Sequence, residues 1–509
     1  MHTTRPIHAD WHLPRRKWHA LSLLPLWLVA CTVGPDAKTP VQPMPARYSG
    51  ATTAPADDAA LAQWWTGFND PTLNNLVARA LRDNLDVRTA ASRIREARQQ
   101  EIVAGAAAWP TVSANPSFTY TQLSRNAISL GGLGTLTGGA ASGASGESSA
   151  GFGLPGTSFN TYQLGLDASW QLDLFGRTRR SVEAAHDTTL ANVWDSRDTQ
   201  VSLVAELADA YLALRTAQRR LAIAQRDLER QRGLLDLLRT RAHAGLATEL
   251  DVRQQETTVA ATAAGLPPLS ADVAVQAHAL GVLLGEPPEA VLDTLAPGPL
   301  PTAPIIPVGL PADLLRRRPD IRATERQFAA ATANIGVAVA DYYPDITLTA
   351  SPALVSTALS TLLTWGSRNL TASAGLTWNL FDGGRVKANV AVMDERAKQA
   401  LLAYHKTVLV ALRDVEDALT RCAADQARQA RLAEQTDSAR AADDLSRTQY
   451  RAGLVPFSTV LTTEAALLSA EDTAAQNDSA AAQDVVALYK ALGGGWSETD
   501  SDPVQAAAR

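Results

Sequence analysis

The chain has 509 residues, of which 46% are apolar, 19% charged and only 6% aromatic, and its formal net charge is −6. Residues 1–30 hold four basic side chains and one acidic side chain, a charge of +3, which leaves −9 for the rest and argues against nucleic acid as a partner. The scarcity of aromatic residues argues against ordinary globular packing. The cysteines are Cys31 and Cys422, so no intrachain disulfide framework is expected.

The first segment, residues 1–30, is typical of a secretory leader. Basic residues end at Lys17, and the apolar run that follows is too short to remain as a membrane helix. The string LVAC, which ends at Cys31, resembles the bacterial lipobox, in which the cysteine becomes the diacylated first residue of the mature protein. We therefore expect a lipoprotein signal peptide over 1–30 and a lipidated N-terminal segment over 31–70. By the same resemblance, Thr32 after the cysteine favours the outer membrane.

The next part of the chain, residues 71–285, begins with a predicted helix over 71–108. Apolar and polar residues then alternate over about 111–123 and 160–173, which predicts two strands. A Gly/Ser-rich stretch, about 124–159, connects them. It lacks the Lys-Ser/Thr and the strand-to-helix context of a phosphate-binding loop, so we expect a mobile loop.

A very long helix is predicted over residues 177–244. Its apolar residues recur at spacings of four and three, the seam of a coiled coil, and at 1.5 Å per residue it is roughly 100 Å long. A returning helix over 248–284 follows after a short turn. Pro267 and Pro268 lie inside it, and we expect them to kink or break the helix.

Residues 319–495 repeat this unit. Trp170 and Arg177 recur 208 positions later as Trp378 and Arg385, and an offset of 234 relates the parts before the strands. The difference is one 26-residue insertion between the first two strands. The repeat therefore predicts the remaining elements, which are a Pro-rich linker at 286–318, a helix over 319–340, strands at about 345–353 and 370–380, a long helix over 385–452, a returning helix over 457–492 and a tail at 496–509.

The four predicted strands have the length and pattern of membrane strands. Each is about ten residues long, with one apolar face and one polar, mostly uncharged face. A soluble sandwich with one wet face shows the same alternation. Aromatic residues favour the membrane, because those that flank the strands fall at the same end of both hairpins, as in an interfacial girdle. This aromatic girdle comprises Trp109, Trp170, Tyr343 and Trp378.

Four strands do not close into a barrel. An open edge in lipid leaves unpaired backbone groups, each costing several kcal/mol, so several chains must share one barrel. Two chains supply eight strands and three supply twelve, and the strand pattern alone leaves both open. The Gly/Ser-rich loop then lies outside the cell.

Four strings in this order of elements carry a resemblance to a known family. They are LVACTVGP at the leader, LPADLLRRRPDI from Leu310, LFDGGR from Leu380 and YKALGGGW from Tyr489. Over nearly all of its mature length the chain resembles the TolC-like outer membrane factors, and more narrowly the NodT-type lipoproteins of tripartite efflux pumps. The resemblance implies a mainly α fold with a transmembrane β-barrel part. Three copies would form a twelve-stranded barrel in the outer membrane and a barrel of long coiled-coil helices that spans the periplasm.

The resemblance also implies where partners bind. In the family, the turns between long and returning helices form the periplasmic entrance, where a periplasmic adaptor protein docks. Those turns are here called the first tip, residues 241–252, and the second tip, residues 450–461. A helix reversal also favours a glycine that is free to take positive φ. The residues expected at the entrance and its docking surface are Gly245, Leu246, Thr248, Asp251, Gly453, Leu454, Phe457, Thr459 and Thr462.

One departure from the family pattern concerns charge at the entrance. The best-known members ring the closed entrance with acidic residues on the second returning helix, and Thr459 and Thr462 occupy those positions here. Only the first tip keeps an acid, Asp251. The resemblance therefore does not extend to an acidic, cation-binding constriction.

The predicted function is a passive outer membrane exit duct for drugs or other small molecules. The chain contains no ATP-binding motif and no ion relay, so energy must come from an inner-membrane pump, by resemblance one of the resistance-nodulation-division (RND) type, acting through the adaptor. Export of protein or oligosaccharide needs the same tunnel and stays open. A lipid-anchored structural coiled coil is the alternative from another class.

No enzyme activity, cofactor or metal site is expected. The mature chain lacks a nucleophile elbow and a paired-carboxylate motif. Its histidines are scattered without metal-ligand spacing, at His186, His243, His278 and His405.

Overall fold

The computed structural model describes residues 32–39, 41–48, 58–122, 158–292, 295–304 and 311–497. The expectations for the signal peptide, for Cys31, for most of the Gly/Ser-rich loop and for the end of the C-terminal tail lie outside these residues. The described chain forms two compact units. Unit one comprises Met1–Pro35, Ala104–Val182 and Asn334–Ala391, and unit two comprises Asp36–Val103, Glu183–Ala333 and Val392–Arg509.

The predicted fold, mainly helical with four strands and long helices, is confirmed. The strands are β1 Thr111–Gln122, β2 Ser158–Leu172, β3 Asp345–Ser356 and β4 Arg368–Thr377. The α-helices of the described part are α1 Asp58–Ala62, α2 Pro71–Asp83, α3 Leu85–Ala106, α4 Arg177–His243, α5 Glu249–Leu283, α6 Leu314–Arg317, α7 Pro319–Ala340, α8 Arg385–Arg451 and α9 Phe457–Ala491.

The strands of unit one form one antiparallel sheet in the order β1-β2-β3-β4. Thr111 pairs with Ser169 in the first hairpin, and Asp345 pairs with Thr377 in the second. The offsets of 234 and 208 convert the first pair into the second, so the duplication extends to the strand register. β1 and β4 are exposed along almost their whole length and have no outer neighbour within the described sheet.

The two long helices α4 and α8 have 67 residues each, and the returning helices α5 and α9 have 35 each. Of the two outcomes predicted for Pro267 and Pro268, a break is wrong, because α5 continues through both, and a kink stays a prediction. Each proline removes one helical hydrogen bond. Both lie on an exposed face, where water can bind the carbonyls that lose a partner.

The single helix predicted over 71–108 is also wrong, because Asn84 divides it into α2 and α3. The backbone of Asn84 is extended at φ −60° and ψ 136°. Its side-chain oxygen accepts hydrogen bonds from the amides of Asp86, at 2.8 Å, and Val87, at 3.2 Å. This is the bonding of an N-cap, which starts a new helix where apolar periodicity alone suggests continuity.

In unit two, each copy closes where its returning helix meets the start of its first helix. In the first copy the Asn84 amide donates to the Leu283 carbonyl at 2.9 Å, and a Cβ on Gly285 would lie 2.7 Å from the Asp83 carbonyl oxygen. The second copy has the same closure with different side chains. There Arg318 donates to the Ala491 carbonyl at 3.2 Å, as the two offsets predict.

The strings LPADLLRRRPDI and YKALGGGW meet at the closure of the second copy. A Cβ on Gly493 would lie 3.0 Å from the Arg317 carbonyl oxygen, and the Trp496 indole donates to that oxygen at 3.1 Å. Tyr489 stacks on Trp64 with the ring centroids 5.0 Å apart, inside the main apolar core of unit two. The residues of these two strings therefore hold helices of unit two together.

Candidate functional site

The turn after α4 carries the first group of predicted site residues. The Leu246 amide donates to the Arg241 carbonyl at 2.8 Å, and the Gly245 amide donates to the Ala242 carbonyl at 2.9 Å. These two bonds form a Schellman motif, which requires a left-handed residue, and Gly245 supplies it at φ 73°. The glycine therefore reverses the chain between α4 and α5.

The turn after α8 has the same backbone design. The Leu454 amide donates to the Gln449 carbonyl at 2.9 Å, and Gly453 has φ 74°. Each turn exposes one leucine, since Leu246 is 68% and Leu454 is 74% exposed. The two tips thus present a similar pair, an exposed leucine and a glycine at which an added Cβ would meet no atom within 4 Å.

Asp251, at the position of the first tip that corresponds to Thr459, caps helix α5. Its carboxylate accepts from the Thr248 amide at 3.0 Å, and the Thr248 hydroxyl accepts from the Asp251 amide at 3.1 Å. This reciprocal capping box satisfies two amides at the start of the helix. Thr248 and Asp251 therefore have a structural task at the tip.

The second tip starts its helix differently. Pro456 stands at the N-cap and accepts no side-chain cap bond. Phe457, predicted for the docking surface, is buried in a small apolar cluster with Leu238, Val252 and Val460. A buried ring does not offer a contact surface, so that part of the prediction is corrected. Of the two threonines that replace the acidic ring, Thr459 is half-buried and Thr462 is exposed.

Tyr450 is a tip residue that the sequence prediction of the site left out. Its ring lies 5.4 Å from the Phe457 ring, and the Arg241 guanidinium lies 5.1 Å from its centroid. Its buried hydroxyl has no hydrogen-bond partner among the described residues. Burial, and then the charge of Asp251, raise the pKa of Tyr450. The sequence contained one signal for it. The residue at the equivalent position of the first repeat is the small Ala242, so a tyrosine here is a difference between the two tips.

The four residues of the predicted aromatic girdle lie together at one end of the strands in unit one. The Trp170 indole donates to the Ala108 carbonyl at 3.0 Å, and the Trp378 indole donates to the Tyr342 carbonyl at 3.0 Å. The two bonds are equivalent in the repeat, because the offset of 208 relates Trp170 to Trp378 and the offset of 234 relates Ala108 to Tyr342. Trp109 and Tyr343 each lie two positions before the first residue of a strand, and the side chains of all four residues are exposed.

The segment directly after Cys31 is held in unit one. The Val33 amide donates to the Phe175 carbonyl at 3.2 Å, and Arg180 donates to the carbonyls of Val33 and Gly34 at 3.1 and 3.2 Å. A Cβ on Gly336 would lie 2.9 Å from the Val33 carbonyl oxygen, so only glycine admits this segment. The chain beside the predicted lipid attachment point is thus fixed in the unit that contains the strands.

Helix α5 leaves an apolar surface exposed. Within the described part it is the one helix long and apolar enough to cross a membrane by length and composition, and none of its most apolar window is buried within the chain. Val275 and Val282 are among its exposed residues. The repeat-related helix α9 buries many more side chains. A single chain therefore buries many more side chains of α9 than of α5.

The comparison with known families gives a match to the family described as "Outer membrane efflux protein", over residues 76–286 and 310–494. The chain is 33% identical over 485 residues to Nodulation protein T of Rhizobium leguminosarum bv. viciae, covering 94% of this chain and 93% of that protein. It is 32% identical to the pyoverdine export outer membrane protein OpmQ of Pseudomonas aeruginosa, covering 88% and 90%.

Solved structures are similar over the same length. The outer-membrane channel OprN has a TM-score of 0.81 and 36% identity, with 92% of this chain and all of that chain covered. The open state of the MtrE outer membrane channel of Neisseria gonorrhoeae has a TM-score of 0.79 and 28% identity, with 92% and 100% covered. No group of three or more His, Cys, Asp or Glu side chains that could hold a metal ion occurs in the described residues.

Proposed function

Because the chain belongs to the outer membrane efflux protein family, we propose that three copies share one β-barrel and form an exit duct for small molecules across the outer membrane. The observation that carries this proposal is the sheet with two open edges, β1 and β4. Unpaired strand edges are not stable in lipid, and closure by further copies removes them. Three copies give the twelve strands that the family resemblance implies.

The duplication supports a specific junction between copies. Inside the chain, Gly165 of β2 lies opposite Ala353 of β3. The offsets convert β2 into β4 and β3 into β1, so the same junction would place Ser373 opposite Thr119 of a second copy. The exposed apolar surface of α5 supports the same assembly, because a neighbouring copy would cover it.

The lipid anchor is part of the proposal. Acylation of Cys31 would attach the N-terminal segment to the outer membrane, in which the strands of unit one also lie. The contacts of Val33 with Phe175 and Arg180 support this arrangement, because they hold the following residues beside the base of the sheet. Exposed aromatic residues of the girdle would lie at the same membrane interface.

The tips are proposed as the entrance and the adaptor-docking surface. Their support is the pair of exposed leucines, Leu246 and Leu454, on turns where a Cβ added to the glycine would meet no atom within 4 Å. Energy would come from an inner-membrane pump, of the RND type according to the family resemblance of the sequence. Relatives named as outer membrane proteins of efflux pumps support such an assembly. We assign the chain no enzymatic role, since its family consists of efflux channels.

Reconstitution in planar lipid bilayers tests the duct. The purified full-length protein is expected to migrate as a heat-modifiable oligomer and to give stable single-channel conductance, because the shared barrel encloses a water-filled path. A water-soluble monomer without conductance would contradict the proposal and favour the structural coiled coil.

Substitutions at the tips test docking. Leu246→Glu with Leu454→Glu is expected to abolish drug resistance in cells while leaving the conductance of the purified channel intact, because charge on these exposed side chains opposes apolar contact with an adaptor. Leu246→Met with Leu454→Met keeps the surface apolar and serves as the control. Unchanged resistance in the glutamate variant would contradict docking at the tips.

A further inference from the structure

A cluster of charged side chains lies buried among the helices of unit two, close to the second tip. Asp227 and Arg230 come from α4, Asp443 and Arg447 from α8, and Glu464 from α9. Three carboxyl groups therefore face two guanidinium groups. Glu464 is 2% exposed and lies about 10 Å along α9 from its first residue, at 1.5 Å per residue.

The contacts leave two buried carboxyl oxygens of this cluster without a hydrogen-bond partner among the described residues, Asp443 Oδ1 and Glu464 Oε2. Arg447 donates to Glu464 Oε1 at 2.8 Å, and its Nε lies 2.9 Å from Asp443 Oδ2. On α4, Arg230 donates to Asp227 at 2.8 Å. Glu464 Oε2 is buried and has no hydrogen-bond partner among the described groups. A buried excess of ionised carboxylates is costly, and a proton on Glu464 Oε2 removes one of these negative charges.

Burial is the main reason why the pKa of Glu464 is raised, to about 7. The charges of Asp227 and Asp443 contribute to the rise, and those of Arg447 and Arg230 oppose it. Burial likewise raises the pKa of Asp227.

Two further side chains complete the surroundings of the cluster. Glu471, further along α9, adds negative charge near Asp227 and is paired with Arg440 at 3.0 Å. The buried α5 residue beside the cluster is the uncharged Gln255, which donates to a backbone carbonyl of α4 at 3.0 Å. The excess of carboxyl groups is therefore not balanced from α5.

Water can reach the cluster. A cavity of about 160 Å³ borders Arg230 and Arg447, and Gly233, Tyr450 and Arg451 also line it. This volume holds a few water molecules, and its polar lining provides partners for them. Glu464 does not line the cavity itself, but its ion-pair partner Arg447 does, so water in the cavity lies one side chain away from the carboxyl group.

The duplicate position in the first copy lacks these features. Arg239 and Glu256 correspond to Arg447 and Glu464 and lie 2.9 Å apart, but both side chains are about a third or more exposed. Leu235 occupies the position of Asp443. The buried excess of carboxyl groups thus exists at one of the two related positions only.

We propose that Glu464 is a proton-operated latch: when protonated it holds α8 and α9 packed against α4 and keeps the entrance narrow, and when ionised it loosens this packing. The latch goes beyond the duct function. It rests on that function only in taking the two tips as the entrance of the duct. When α9 moves away, the carboxyl becomes hydrated and binds its proton less tightly. The packed state therefore binds the proton more strongly and is disfavoured as the pH rises through about 7, up to tenfold per pH unit.

Hydrogen exchange of the full-length protein in detergent, corrected for the intrinsic chemical rate, tests the latch independently of conductance. Amides of residues 443–467 are expected to lose protection between pH 6 and pH 8 in the unmodified protein. Glu464→Gln, which mimics the protonated group, is expected to keep them protected at both pH values. Asp227→Asn is expected to move the midpoint to lower pH by about half a unit or more, because it removes a charge that raises the pKa of Glu464.

Glu256→Gln is the matched control, since it removes the related but exposed carboxylate, and it should keep the unmodified pH profile. A profile in Glu464→Gln that equals that of the unmodified protein would overturn the latch, as would an equal loss of pH dependence in Glu256→Gln. Single-channel conductance over the same pH range separates the two proposals. A pH-dependent exchange profile without conductance would leave the latch standing and count against the duct.

Discussion

Four glycines in the helix turns share one backbone conformation but lie in different surroundings. Gly245 and Gly285 both have φ 73°, and Gly453 and Gly493 both have φ 74°. A Cβ at Gly245 or Gly453 would meet no atom within 4 Å, whereas at Gly285 or Gly493 it would approach a backbone carbonyl oxygen. The four positions therefore separate the cost of a left-handed backbone from the cost of a steric clash.

Alanine at each position is predicted to give two sizes of destabilisation. Gly245→Ala and Gly453→Ala should each cost about 1 kcal/mol, from backbone strain alone. Gly285→Ala and Gly493→Ala should cost about 1–3 kcal/mol more, because the new methyl group presses on a carbonyl that cannot move aside freely. Chemical denaturation of the detergent-solubilised protein measures these differences.

A helical glycine provides the control for this series. Gly233 lies inside α4, and a Cβ there would meet no atom within 4 Å. Gly233→Ala is therefore expected to be neutral or to stabilise the protein by up to about 1 kcal/mol, through helix propensity. Equal costs at all four turn glycines would contradict the steric difference between the tips and the closures.

At the scale of elements, the junction between α2 and α3 depends on one side chain. Asn84 caps α3 and also bonds the last turn of α5, so Asn84→Ala is predicted to destabilise the protein by about 2 kcal/mol. Asn84→Ser keeps a capping oxygen but loses the bond to Leu283, and its cost should fall between. Denaturation curves that place serine level with alanine would show that the cap contributes nothing.

The elements differ in how far the sequence predicts them. Strands and long helices follow from periods of two and of three to four, and the repeat extends the prediction to the second copy. Apolar periodicity does not predict the division between α2 and α3 at Asn84, because the apolar residues keep their helical spacing across the N-cap. The continuity of α5 was missed because the effect of Pro267 and Pro268 depends on their exposure, which only the packed helices determine.

The candidate site was predicted unevenly for the same reason. Gly245 and Gly453 were predictable, because a helix reversal restricts the backbone to a conformation that glycine adopts. The burial of Phe457 and Tyr450 was not predictable, because it arises from contact, within one chain, between helices of the first and the second repeat. Charge clusters such as that around Glu464 join three helices that are far apart in sequence, so spacing alone does not reveal them.

For the whole molecule, the two copies are related in backbone but differ in chemistry. The strand register, the turn glycines and the closures at Leu283 and Ala491 all follow the two offsets. The capping box at Asp251 and the buried cluster at Glu464 occur in one copy each. The duplication thus repeats the backbone junctions in both halves of the chain, whereas the two tips differ in helix capping and in buried charge.

The most direct test of the shared barrel is a disulfide between copies at the predicted strand junction. Ser373→Cys with Thr119→Cys, in a Cys422→Ser background, should give a covalent trimer on non-reducing gels, because paired residues of neighbouring strands are close enough to bridge. Ser373→Cys with Ser113→Cys, displaced by six residues or roughly 20 Å along β1, is the control and should not cross-link. A covalent dimer as the end product, or no cross-link in the matched pair, would contradict the three-copy barrel.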